Sequence, residues 1–165
     1  MATGRAWKFG DSISTDLIAP GRFAHLRSNL PELAKHCLED ARQDYAPNVK
    51  PGDFVVGGNN FGLGSSREHA PRIIKLSGAQ AVIAKSFARI FFRNAINVGL
   101  PAIQIDTDKI DEGDELELDL GSGKLINRTK NETYMFPPLP NAMQRILADG
   151  GLTEHIKKHG DFKLD

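Results

Sequence analysis

Apolar runs and helical spacings alternate through the first two thirds of the chain, and the rhythm changes afterwards. Phe54-Val55-Val56-Gly57 is a continuous apolar run, which predicts a buried strand. Helically spaced Ile73, Ile74 and Leu76 follow, so a helix is expected over 66–77, with Gly78 stopping it. Ala81-Val82-Ile83-Ala84 predicts another buried strand, 86–94 a helix opened by Ser86 as its cap, and 101–105 a third strand. Strand, helix, strand, helix, strand in this order argues for parallel βαβ units.

The flanks differ. Residues 7–23 read as a short strand, a polar loop through Gly10-Asp11-Ser12-Ile13-Ser14-Thr15-Asp16, and a turn at Pro20-Gly21. Leu30, Leu33, Cys37 and Leu38, with Pro31 in a first turn, predict a short helix, and 47–53 is a turn-rich connector. Beyond the third strand, Glu115-Leu116-Glu117-Leu118-Asp119-Leu120 alternates strictly, predicting one buried and one wet face. A turn at Gly121-Ser122-Gly123 leads to antiparallel strands over 124–127 and 133–136, and short helices are expected over 141–148 and 153–158. No repeat, low-complexity tract or long linker interrupts the pattern, so a single domain over 1–165 is expected.

Charge narrows the partners. Lys plus Arg and Asp plus Glu both number 21, giving zero formal net charge. That balance argues against non-specific binding to nucleic acid or to an anionic membrane. No stretch is long enough to span a bilayer and the N-terminus has no signal-like apolar segment, so a cytoplasmic location is expected. Cys37 is the only cysteine, which excludes an internal disulfide and a cysteine-held cluster.

Chemistry concentrates in Gly57-Gly58-Asn59-Asn60-Phe61-Gly62-Leu63-Gly64-Ser65-Ser66-Arg67-Glu68-His69-Ala70, between the first buried strand and its helix. A helix start offers unpaired N–H groups and partial positive charge, which favour an anion or a serine alkoxide. Gly64 lets the backbone approach a ligand closely. Ser65 and Ser66 allow one hydroxyl to cap while the other faces a substrate, and Arg67 is a forked cation suited to a carboxylate. The loop lacks the Gly-Lys-Ser/Thr ending of a phosphate-binding loop and the second glycine of a nucleophile elbow. His69 reads as a structural hydrogen-bonding residue, since no second metal ligand lies at a suitable spacing. His155 and His159, four residues apart, read as part of a solvated tail helix, Arg27 as a basic residue in a polar loop, and Asp11, Ser14, Thr15 and Asp16 as local turn residues.

Gly62-Leu63-Gly64-Ser65-Ser66-Arg67-Glu68-His69-Ala70 resembles the swivel-domain motif of the aconitase superfamily. Lys85-Ser86-Phe87-Ala88-Arg89-Ile90-Phe91, with Asn94 and Gly99-Leu100-Pro101, is similar to a second signature of that family, and Ser14-Thr15-Asp16-Leu17-Ile18 to a third. The length resembles the separate small subunits of 3-isopropylmalate dehydratase and homoaconitase. The resemblance implies an α/β fold, a three-layer β/β/α swivelling domain of mixed parallel and antiparallel strands. It implies a [4Fe–4S] cluster held by a large partner subunit rather than by this chain, with this chain closing over a small hydroxy acid. Carried over by position, Ser65 is the catalytic base, and Ser66 and Arg67 bind a substrate carboxylate. Asp16, Gly64 and His25 are candidate supporting residues.

The segment His25-Leu26-Arg27-Ser28-Asn29 matches a specificity loop of the family. Arg27 suits a carboxylate substituent, as in homoaconitase, whereas an isopropyl group wants an apolar wall. His25 stands where the homoaconitate members carry tyrosine, so the loop departs from both patterns. The function implied first is isopropylmalate isomerisation by dehydration and rehydration, in leucine synthesis. Homoaconitase and 2,3-dimethylmalate dehydratase small subunits are the alternatives. A non-catalytic binding module on the same fold is a further one, against which the paired hydroxyls speak.

Overall fold

A computed structural model describes residues 3–65 and 67–160. Seven strands form one sheet in the order β4-β3-β2-β1-β5-β6-β7. Strands β1 (Thr3–Lys8), β2 (Phe54–Val56), β3 (Ala81–Ala84) and β4 (Ala102–Gln104) are parallel, with Trp7 opposite Val55, Val55 opposite Val82 and Ile83 opposite Ile103. On its other edge β1 pairs antiparallel with β5 (Glu115–Asp119), which continues into β6 (Lys124–Asn127) and β7 (Glu132–Met135). β2 and β3 are buried along their whole length, as their unbroken apolar runs require of strands covered on both faces.

Period-two alternation sorts the core into two layers. Trp7, Val55, Val82, Ala84 and Ala102 face one cluster, which the helices complete through Ile18, Leu33, Ile73, Ile74, Phe91 and Ala95. Ala6, Phe54, Val56, Ala81, Ile83 and Ile103 face the other, closed by Leu116, Leu118, Leu125 and Phe136 of the antiparallel half. The sheet therefore curls back on itself, giving the expected mixed β/β/α arrangement. Among the described residues the helices are α1 (Thr15–Ile18), α2 (Leu30–Ala34), α3 (Tyr45–Asn48), α4 (His69–Ser77), α5 (Arg89–Asn97), α6 (Asn141–Ala148) and α7 (Leu152–His159), with 3-10 helices at Gly21–Leu26 and Thr107–Lys109. Among the described residues no helix is long and apolar enough to cross a membrane.

Several expectations shift. The helix expected from 66 begins at His69, and the one expected from Ser86 begins at Arg89. Ser86 does not cap it. Its carbonyl accepts from Phe61 N–H (2.9 Å) and its hydroxyl from Asn60 N–H (2.7 Å), so 86–88 stay extended against the glycine loop. The helix expected over 30–38 stops at Ala34, followed by turns to Leu38, whose φ is +59°. The polar loop hides α1, capped by Ser14, whose hydroxyl accepts from Leu17 N–H. Glu117, expected on a wet face, is buried and paired with Arg128 at 2.8 Å. His155 is wholly buried and bonded to Asp149, whereas Thr153, Glu154 and residues 156–159 of α7 are exposed, so the helix is solvated as expected except at His155.

Candidate active site

Three loops leave the carboxyl ends of β1, β2 and β3 side by side, the usual ligand-binding edge of a parallel sheet. Backbone bonds stitch the loop after β1 to the glycine loop: Gly58 N–H to Gly10 O (3.1 Å), Ser12 N–H to Asn59 O (2.8 Å), Gly62 N–H to Ile13 O (2.7 Å) and Thr15 N–H to Leu63 O (2.9 Å). On the far side Ala88 N–H donates to Phe61 O (2.9 Å), and the rings of Phe61, Phe87 and Phe91 pack at 5.3–6.1 Å beneath the loop. Gly62 requires its identity twice over. Its φ is +86°, and a Cβ there would lie 2.2 Å from Phe91 Cγ.

This stitching brings two distant parts of the chain together. Thr15 Oγ1, buried at the start of α1, lies 3.3 Å from Ser65 Oγ on the exposed loop. Arg67 Nη1 donates to Ala19 O (2.8 Å), and Nη2 meets Asp16 Oδ1 at 2.5 Å. These two contacts aim a half-buried guanidinium along α1. Gly64, at φ +108°, makes the turn that delivers Ser65, and a side chain there would crowd Thr15 Oγ1 at 3.1 Å. Because α4 starts at His69, Arg67 supplies the local positive charge beside Ser65 rather than the first turn of the helix.

Arg67 also lines a cleft of about 160 Å³. Arg27 and His69 share its polar end, and Ala19, Pro20, Phe23, Ala24 and Leu33 form its apolar wall. The 3-10 segment carrying that wall is pinned from outside. Arg22 pairs with Asp40 (2.5 Å) and Glu39 (2.7 Å), and Phe23 stacks on His36 with centroids 3.8 Å apart. Arg27 is exposed, and its guanidinium has no ion-pair partner among the described residues. Burial holds the His69 imidazole below its ordinary pKa, and the nearby charges of Arg67 and Arg27 push the same way. The polar end thus presents two permanent cations, of which Arg67 is held in place, and an imidazole biased towards neutrality, a setting for the carboxylate of a small acid.

Of the residues singled out in the sequence, Ser65, Gly64, Arg67, Asp16 and Arg27 belong to this connected set. His25 is exposed and does not line the cleft. Ser66 lies outside the described residues. Thr15 and His69 join the set although their sequence context gave only a turn and a structural histidine; Thr15 is fifty positions from Ser65 and nothing local signals the contact. The chain does not fit an iron–sulfur cluster of its own. Cys37 is its single cysteine, it is wholly buried, and burial pushes its thiol far from ionisation.

The Aconitase C-terminal domain family matches residues 10–108, which hold the three stitched loops, Arg27 and Arg67. A 3-isopropylmalate dehydratase small subunit 2 from Archaeoglobus fulgidus is 63% identical over 161 residues, covering 98% of both chains. A 3-isopropylmalate dehydratase small subunit 1 from Thermotoga maritima is 60% identical over 163 residues, again covering 98% of both. Among solved structures, the 3-isopropylmalate dehydratase chain from Methanocaldococcus jannaschii superposes with a TM-score of 0.90 at 48% identity, covering 96% of this chain and 94% of that one. With the loop architecture and these relatives in agreement, the chain belongs to the aconitase C-terminal domain family.

Proposed function

We propose that this chain is the small subunit of a [4Fe–4S]-dependent hydro-lyase that interconverts 2-isopropylmalate and 3-isopropylmalate by loss and re-addition of water, in the leucine pathway of the cytoplasm. It is active only with a large subunit that carries the cluster. The observation that carries the reading is Ser65 Oγ within reach of Thr15 Oγ1, next to a guanidinium held by Asp16 and the Ala19 carbonyl. The names of the Archaeoglobus and Thermotoga relatives supply the substrate. The apolar wall of the cleft accommodates an isopropyl group.

In this reading Ser65 Oγ, as the alkoxide, takes the proton from the carbon next to the departing hydroxyl. Thr15 O–H donates to that alkoxide before the transfer. Arg67 pairs with the neighbouring carboxylate, which gathers negative charge as the C–H bond breaks, so its hold is tightest in the transition state. Ser66 binds the same carboxylate. In the rehydration that gives the isomer, the Ser65 hydroxyl delivers its proton to the carbon that lost the hydroxyl, while water adds at the carbon that lost the proton. Departure of the substrate hydroxyl falls to no group of this chain.

A second reading, homoaconitase, rests on Arg27, a cation with no ion-pair partner among the described residues, at the polar end of a cleft that would otherwise suit an alkyl group. The test is an anaerobic dehydration assay of the purified chain mixed with its cluster-reconstituted large subunit. The substrates are 3-isopropylmalate, homocitrate, citrate and 2,3-dimethylmalate, with each subunit alone as control. Turnover of 3-isopropylmalate only in the mixture, abolished by Ser65→Ala with the complex intact, is the expected result. Preferred turnover of homocitrate would transfer the function to the second reading. A stable, cluster-loaded complex inactive on all four would overturn both.

A further inference from the structure

Helices α6 and α7 meet in a side-chain cluster that the hydro-lyase reading does not use. Asp149 ends α6, and Gly150 (φ +91°) and Gly151 (φ +131°) turn the chain sharply into α7. The corner is rigid: Gly151 N–H donates to Ile146 O (2.9 Å), and a Cβ on Gly151 would meet Asn97 O at 2.7 Å. His155 and His159 are four residues apart and so share one face of α7. His155 Nδ1 lies 2.8 Å and His159 Nε2 3.0 Å from the same atom, Asp149 Oδ2. The donor atoms of all three residues fall within 4.8 Å of one another.

From this geometry we propose a binding site for a divalent transition cation of the zinc class, ligated by Asp149, His155 and His159. Two imidazoles from successive turns converge on Oδ2, each within hydrogen-bond distance. As a purely hydrogen-bonded cluster, both rings must hold a proton towards one oxygen. A cation replaces both protons and uses both lone pairs. Two imidazoles and one carboxylate are a typical zinc donor set. Tetrahedral bonds of about 2.0–2.1 Å put neighbouring ligand atoms about 3.3 Å apart, so the two contacts to Oδ2 must open by a few tenths of an ångström and the imidazole nitrogens, which lie within 4.8 Å of each other, must close towards that spacing. His159 can supply that movement, since its side chain is 29% exposed whereas His155 is wholly buried. The exposed side of His159 leaves the fourth position to water.

Lys158 Nζ sits 3.2 Å from Asp149 Oδ1, the carboxylate oxygen the cation does not need. Its side chain is 67% exposed, so solvent screens its charge, and it orients the carboxylate. The C-terminus of α7, with His159 in its last turn, adds the negative end of a helix dipole. None of the three ligands lines the Arg27–Arg67–His69 cleft, so the bound cation fastens α7 to the α6 corner without entering the chemistry at Ser65.

The test uses the full chain, stripped with a chelator and titrated with Zn²⁺ by calorimetry and with Co²⁺ by visible spectroscopy. His159→Ala and Asp149→Asn are the probing variants, and His36→Ala controls for surface imidazole. One equivalent is expected to bind wild type and the control, giving the visible bands of four-coordinate Co²⁺ and a higher unfolding midpoint with Zn²⁺ but not with Mg²⁺. His159→Ala, which removes the most exposed ligand and keeps the fold, is expected to weaken binding by at least about tenfold, the loss seen even when only an outer partner of a ligand goes. Wild type without saturable Zn²⁺ binding, or His159→Ala binding as tightly as wild type, overturns the proposal.

Discussion

Thr15→Val tests whether Ser65 reacts as an alkoxide. The substitution keeps the branched shape at a buried position and deletes the hydroxyl 3.3 Å from Ser65 Oγ. In the resting chain the contact joins two neutral hydroxyls. Ser65 is exposed and can turn to water, so the loss of stability stays under about 1 kcal/mol. For a chain of this size that lowers the melting temperature by at most about 4 °C. In the reacting state the same bond points at a charge, where hydrogen bonds contribute about 1.5–3 kcal/mol. At 3.3 Å the contact exceeds the roughly 2.5–3.0 Å usual between oxygens, so the lower part of that range applies. About 1.5–2 kcal/mol corresponds to a loss of about ten- to thirty-fold in both kcat and kcat/KM, with KM little changed. The assay is steady-state dehydration by the reconstituted complex at saturating and limiting substrate, with Thr15→Ser as the variant that restores the hydroxyl. Full activity in Thr15→Val would refute the argument. Equal impairment in Thr15→Ser would show that packing, not the hydroxyl, was at issue.

Other expectations follow from the same geometry. Gly62→Ala puts a Cβ 2.2 Å from Phe91 Cγ at φ +86°, so a thermal melt should show a destabilisation of about 2–4 kcal/mol, and a midpoint equal to wild type would contradict the strained-loop account. Arg27→Val should move the kcat/KM ratio of 3-isopropylmalate over homocitrate upward by about ten- to a hundredfold, and an unchanged ranking would mean that Arg27 does not read the substituent. His69 has a lowered pKa in the folded chain, so the unfolded chain takes up the proton first as pH falls below about 6.5. Stability from this group is therefore present above that pH and declines until the folded pKa is passed. Chemical denaturation at pH 5 and pH 7.5 should show a smaller difference for His69→Gln than for wild type, and identical differences would count against the burial argument.

The elements that were readable are those whose signal is local. Unbroken apolar runs marked β2 and β3 because a strand covered on both faces needs nothing but apolar side chains. Gly78 closed α4 because only a left-handed residue ends a helix that way, and its φ is +119°. The Gly64-Ser65-Ser66-Arg67 run was legible as a candidate anion site for the same reason: spacing, glycine and charge lie within one stretch of chain. Helix starts were less readable. Ser86 carries the mark of a cap, yet its hydroxyl and carbonyl are taken by Asn60 and Phe61, donors twenty-five or more positions away.

The sequence by itself determined the alternation of strands and helices, the lack of the several cysteines a cluster needs, and the one stretch that gathers glycine, serine and arginine. Each follows from residues in one window or from a count. Only the tertiary structure decided that Thr15 stands beside Ser65, that Asp16 holds Arg67, and that Glu117 and His155 are buried on partners rather than solvated. Those outcomes depend on strand order and on backbone bonds between loops far apart in sequence. A polar side chain shows where it belongs only once its partner has arrived, because burial of a charge is set by the pair and not by the residue.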